Sequence, residues 1–166
     1  MPRIWITGPA GNSAEYATAA RSVGWEPVEL ALVHIDAVDV DLVPLATQNF
    51  DALCITSSNA LPFVERLVTF APALRRLRCF AVGVRTRERA QALGLPLAGE
   101  LALDARELAE RVLHDLPRAQ HVLWPRGDQS DDLAFHLRAN KIDVEDPIVY
   151  ATRSLADAAD VPAADA

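Results

Sequence analysis

Three short stretches of this chain set hydroxyl, amide and glycine residues directly behind an apolar run: Thr56-Ser57-Ser58-Asn59, the turn from Gly83 to Thr86, and residues 125–130 (PRGDQS). In each case the apolar run reads as a strand and the residues that follow resume helical spacing, so each stretch is a strand end turning into a helix start. The first turn of a helix carries unpaired N–H groups at the positive end of its dipole, and a serine hydroxyl or asparagine amide there adds donors for an anion. The chemistry on offer is recognition of an anionic group by positioned donors. No Ser-His-Asp set or close carboxylate pair stands out, which leaves positioning, hydrogen bonding and one phenol for any reaction. The same residues also have a structural use. Ser57, Ser58 and Asn59 are ordinary helix caps, worth about 1 kcal/mol without any ligand, and a glycine turn followed by a hydroxyl, as at Gly83 and Thr86, is common at helix starts.

Other chemistries are disfavoured. The glycines lack the spacing of a Walker loop or a G-x-G-x-x-G fingerprint, which argues against a nucleotide site. His34, His114, His121 and His136 show no i, i+4 pairing, so no metal is expected. Cys54 and Cys79 each sit inside an apolar run and form no C-x-x-C pair, so both read as buried small hydrophobes. Arg126-Gly127-Asp128 matches an adhesion tripeptide by chance; its glycine and loop position matter more. A formal net charge of −7 and a pI near 5.0 would repel nucleic acid and anionic membranes at long range, while a small anionic ligand held by local donors stays compatible. No apolar run approaches the ~18 residues of a membrane span, and the run at residues 4–7 is too short for a secretory signal, so a cytoplasmic protein is expected.

The elements that must position these corners follow the same grammar along the whole chain. A strand at residues 4–7 leads through a turn at 8–13 into an alanine-rich helix at 14–23 stopped by Gly24. Residues 27–35 look extended, 42–47 suit a short helix, and 52–56 form the next strand. Leu61, Val64, Leu67 and Val68 fall at helical spacing, and Pro72 interrupts that helix. A strand at 78–82, a helix at 86–93 stopped by Gly94, and a capping-box helix headed by Asp104 and Glu107 and running to about Leu116 come next. The strand at 121–124, a helix carrying Leu133, Leu137 and Phe135, and a strand over 144–152 complete the ordered pattern. The acidic, low-complexity tail past Ser154 is expected to fray. Alternating strands and helices imply an α/β fold, a mostly parallel sheet covered by helices on both faces, with ligands at the carboxyl ends of the strands.

Taken in order, the corners resemble the uroporphyrinogen-III synthase family. Residues 6–9 (ITGP) stand where the family tends to read V-T-R-P, and residues 51–61 (DALCITSSNAL) where it reads like D-a-l-i-F-T-S-x-n-A-V. Residues 81–86 (AVGVRT) follow its A-V-G-x-x-T turn, residues 123–127 (LWPRG) its l-l-p-R-G, and residues 149–152 (VYAT) its v-Y-x-T. The resemblance covers residues 3 to about 153 and implies two flavodoxin-like lobes joined by extended connectors. On that pattern residues 1–33 are the opening β-α-β piece of lobe one, residues 34–148 are a complete lobe two, and residues 149–166 are the return connector and tail. Most of lobe one's sheet would be missing, which suggests a partner supplying the absent half-lobe, or self-association.

The implied activity is cyclisation of hydroxymethylbilane, a linear tetrapyrrole with eight carboxylates, to uroporphyrinogen III with inversion of ring D through a spiro intermediate, without cofactor. Carried over by position, Thr7, Ser57, Ser58, Asn59, Val84, Thr86 and Gly127 look like substrate-binding positions, and Tyr150 matches the tyrosine thought to assist departure of the hydroxyl. Gly8 departs from the pattern, because an arginine is usual there, and Lys141 stands where a helix-ending glycine is common. The early stop and Gly8 support an alternative, a non-catalytic tetrapyrrole-binding or regulatory module of the same family. An unrelated flavodoxin-like receiver or cofactor-binding domain is the third reading, against which the ordered corners and Tyr150 argue.

Overall fold

The computed structural model describes residues 1–9, 13–129 and 132–154. In chain order the elements are β1 (Arg3–Pro9), α1 (Ala14–Ser22), β2 (Glu26–Ala37), α2 (Val43–Ala46), β3 (Ala52–Ile55), α3 (Leu61–Phe70), β4 (Arg78–Ala81), α4 (Val84–Ala92), α5 (Ala105–Asp115), β5 (His121–Leu123), β6 (Arg126–Gly127), α6 (Asp132–Ala139), β7 (Asp143–Glu145) and β8 (Ile148–Ser154), with 3-10 turns at Ser58–Ala60 and Pro72–Arg76. The chain divides into two compact units, one of Met1–Asp36 with Thr152–Ala166 and one of Ala37–Ala151. The tail past Ser154, Ser130 and the middle of the turn expected at 8–13 lie outside the described residues.

The larger unit holds a four-stranded parallel sheet in the order β4-β3-β5-β7. Its apolar runs are short and continuous because both faces are covered. Alternate residues of β3 feed opposite faces: Leu53 and Ile55 join a cluster with Val64 and Leu67 of α3 and Ala90 of α4. Ala52 and Cys54 join another with Leu108 and Val112 of α5 and Leu133 and Leu137 of α6. Helices therefore cover both faces, as the repeated β-α grammar implies. Both cysteines are free and buried, each facing a different cluster.

In the smaller unit β1 pairs in parallel with β2, from Arg3 opposite Glu26 to Pro9 opposite Val33. Helix α1 buries Ala17 and Ala20 but leaves Tyr16 61% exposed, and Ile4, Trp5 and Trp25 are exposed as well. A β-α-β piece buries only what one helix can cover.

Helix ends follow local chemistry. Asp104 caps α5 by accepting the Glu107 N–H at 2.8 Å, while Glu107 reaches back to the N–H of Leu103, one residue earlier than the usual box. Helices α1, α4 and α6 all end in the same motif, with paired bonds such as Leu95 N–H to Ala90 O and Ile142 N–H to Leu137 O. The residue this motif holds in the left-handed region is Gly24 (φ 82°) or Gly94 (φ 73°) in the first two, and Lys141 (φ 64°) in the third.

Three expectations need correction. The strand expected over 144–152 is two strands, β7 and β8, because Pro147 has no N–H to donate and the Asp146 side chain is engaged by two arginines. The helix expected from residue 86 begins at Val84, which places Thr86 in its first turn and buries it. Phe135 is 71% exposed, because its helix face points away from the sheet that Leu133 and Leu137 cover. Among the described residues, no helix is long and apolar enough to cross a membrane, and no three His, Cys, Asp or Glu side chains group as metal ligands.

Candidate functional site

The larger unit brings its strand-end corners together. After β3 the chain enters the Ser58–Ala60 turn, which packs against both α4 and β6. Ser57 caps this turn, its Oγ accepting the Asn59 N–H at 3.2 Å, so the structural use of that hydroxyl is real and its own proton is left to donate. Ser58 Oγ accepts a hydrogen bond from Arg89 of α4 at 3.3 Å. That arginine places a permanent positive charge at the corner, 31 residues further along the chain, where no short-range motif could signal it.

Gly83 makes the β4-to-α4 turn with φ 76° and ψ 150°, a conformation that side chains resist. Its N–H bonds to Ala102 O at 2.9 Å, which fixes the start of α4. Val84 is exposed at the helix tip, whereas Thr86 is 7% exposed. The Thr86 hydroxyl is thus a recessed group, and the backbone at the helix start is the more accessible donor.

The third corner is held by a network that sequence spacing did not reveal. Trp124, buried at the end of β5, donates its indole N–H to Thr56 Oγ1 at 3.1 Å, tying the first corner to the third. Arg126 pairs with Asp146 at 2.9 Å and donates to Gly127 O at 3.1 Å, and Arg138 of α6 pairs with the other Asp146 oxygen at 2.7 Å. Arg126 and Asp146 keep only 17% and 18% of their side-chain surface exposed, so the pair is largely withdrawn from solvent screening. In the register of β6 on β8, Arg126 lies opposite Ile148 and Gly127 opposite Tyr150, with an irregularity between them. Tyr150 is half-buried and packs against the α3 and α4 cluster.

Thr7 belongs to the smaller unit, exposed on β1 opposite Leu30. Its neighbour Gly8 has open space where a side chain would begin. Beside Ser58, a shallow groove of about 280 Å³ runs between α3 and α4, lined by Arg89, Glu65, Leu61, Pro62 and Leu93. The thiols are poor nucleophiles here: burial pushes Cys79 up to about 12 and Cys54 higher still.

The arrangement can bind an anion through hydroxyls, helix-start N–H groups and Arg89, beside one phenol. A family model described as uroporphyrinogen-III synthase HemD matches residues 14–164. The chain is similar in structure to uroporphyrinogen-III synthetase from Helicobacter pylori, with a TM-score of 0.58 and 20% identity over 80% of this chain and 58% of that one. It is also similar to a mutant uroporphyrinogen III synthase from the extremely thermophilic bacterium Thermus thermophilus, with a TM-score of 0.61 and 16% identity over 93% of this chain and 64% of that one. At these identities the likeness is one of fold, and the chain spans about three fifths of the length of these structures. No curated protein matches it.

Proposed function

The chain belongs to the uroporphyrinogen-III synthase family, and from that premise we propose that it acts in heme biosynthesis by closing hydroxymethylbilane to uroporphyrinogen III. In this reading Ser57, Ser58, Asn59 and the helix start at Val84 and Thr86 hold substrate carboxylates through preorganised donors. Thr7, in the smaller unit, is a further substrate-binding position by the family resemblance. Tyr150 donates to the departing hydroxyl of the substrate: the C–O bond breaks, water leaves, and the pyrrole nitrogen's electron pair forms an azafulvenium cation beside the phenolate. The substituted carbon of ring D attacks that methylene to give a spiro intermediate, which fragments and recloses with ring D inverted. One proton lost on rearomatisation restores the phenol, so the balance is substrate to product plus water, and no redox cofactor is needed.

The observation that carries the reading is the packing of the Ser58–Ala60 turn on both α4 and β6 in the unit that also holds Tyr150. Spontaneous closure gives the uninverted isomer, so restraint of the substrate's ends is the main task, and positioned donors suit it. The test is to supply freshly generated hydroxymethylbilane to the folded chain and measure the ratio of uroporphyrin III to uroporphyrin I after oxidation. Isomer III above the spontaneous background is expected; isomer I alone would overturn catalysis by this chain.

A second reading is favoured by Gly8, which supplies no charge where an arginine is usual: a non-catalytic module that binds a tetrapyrrole. Binding without isomer III would select it. With either reading goes self-association or a partner that covers Ile4, Trp5 and Trp25 of the smaller unit. A monomer by light scattering, with residues 1–36 resistant to protease, would contradict that association.

A further inference from the structure

Gly127 is buried, and its backbone is not in the left-handed region, so conformational freedom does not explain a glycine there. Space does. A Cβ built at Gly127 would lie 2.5 Å from Tyr150 Cε2, 2.6 Å from Cζ and 2.9 Å from the phenol oxygen, distances that real Cβ atoms do not tolerate. The contact is with the hydroxyl end of the ring, the end at which any proton is donated. The chain brings the two residues together by a register irregularity, since one step along β6 from Arg126 to Gly127 spans two along β8 from Ile148 to Tyr150. Such irregularities re-aim a side chain. The strand carrying Gly127 is itself fixed, because Arg126 holds both Asp146 and Gly127 O and its N–H bonds to Pro147 O at 3.0 Å.

We propose that Gly127 is the positioning residue of Tyr150: its bare Cα is the seat that sets where the phenol oxygen lies, and it acts on the reaction through the tyrosine rather than by contact with substrate. The catalytic consequence rests on the proposed role of Tyr150; the seat itself does not. Any side chain at position 127 pushes the ring end away, and a displacement of about 1 Å costs about a hundredfold in rate when the displaced group takes part in the chemistry.

The test uses the full chain carrying 3-fluorotyrosine at its two tyrosines, Tyr16 and Tyr150. Tyr16 is exposed, so the Tyr16→Phe variant assigns the two fluorine signals. In Gly127→Ala the Tyr150 signal shifts while the Tyr16 signal stays, and kcat falls about a hundredfold with little change in KM. Where Gly127→Ala folds poorly, a thermodynamic cycle replaces it: the alanine destabilises the chain when Tyr150 is present and much less in a Tyr150→Ala background. An unmoved Tyr150 signal, or equal destabilisation in both backgrounds, would overturn the seat. The fluorine readout holds even if the wild-type chain yields only isomer I, so failure of the seat and failure of the proposed reaction are distinguishable.

Discussion

Ala52 and Trp5 both lie in parallel strands, but Ala52 has a strand on either side and is fully buried, whereas Trp5 pairs with β2 alone and keeps 37% of its surface exposed. The larger unit closes two apolar clusters around its sheet, whereas among the described residues of the smaller unit only Ala17 and Ala20 are buried. A parallel strand is stable when both faces and both edges are satisfied. The contrast teaches where a rigid site can be built: donors that must hold a flexible substrate to within fractions of an ångström belong on the element whose core is complete. All but one of the residues proposed to bind substrate, and Tyr150 with them, lie in that unit, and Thr7 is the exception.

The contrast is broken most strongly in the larger unit's core. Leu133→Ala removes a fully buried side chain and is expected to cost about 3 kcal/mol by denaturant unfolding followed by circular dichroism, and a loss below about 1 kcal/mol would deny that core its role. Alkaline unfolding sharpens the same difference, because both buried thiols lie in the larger unit. Folding raises Cys79 from an ordinary 9.0 to about 12, and Cys54 in the same direction, both by burial. The unfolded chain therefore releases these protons first. The thiols' contribution is undiminished below pH 9 and is lost as pH climbs from about 9 towards 12, at up to about 1.4 kcal/mol per pH unit for each thiol. A Cys54→Ala, Cys79→Ala variant should flatten that part of the stability curve.

Smaller effects follow at the margins. Lys141→Gly should raise the melting temperature by an amount equivalent to about 1 kcal/mol, since Lys141 alone among the described non-glycine residues has a positive φ, 64°, in a motif that glycine fits. At the other unit, Tyr16→Ser, at a side chain 61% exposed, should alter stability by no more than about 0.5 kcal/mol by denaturant unfolding. A loss above about 2 kcal/mol would mean that Tyr16 is buried in the folded protein.

Much of this was legible along the chain because it is written in nearest neighbours. Gly24 and Gly94 mark helix stops, Asp104 and Glu107 mark a helix start, and Leu61, Val64, Leu67 and Val68 trace one buried face, all read from spacings of a few residues. What escaped was long-range. Arg89 reaches Ser58, Trp124 reaches Thr56, and Arg126 and Arg138 share Asp146, contacts that depend on which strands lie side by side. The break between β7 and β8 escaped because flanking apolar residues continue the strand pattern through Asp146 and Pro147. Phe135 misled for the opposite reason, an apolar residue at near-helical spacing that the core does not use. The reason for a glycine at position 127 could not be read from residue type, since only the tyrosine ring across the strand pair explains it.

The most direct test of the central claim, that the larger unit's corners hold the substrate, is backbone NMR of the labelled chain titrated with a bilane in which the leaving hydroxyl is replaced by hydrogen, so that it cannot cyclise. The account predicts shifts concentrated at Ser57, Ser58, Asn59, Val84, Thr86, Gly127 and Tyr150, weakened by salt. Shifts confined to the outer faces of α5 and α6, or no shifts at millimolar ligand, would contradict it.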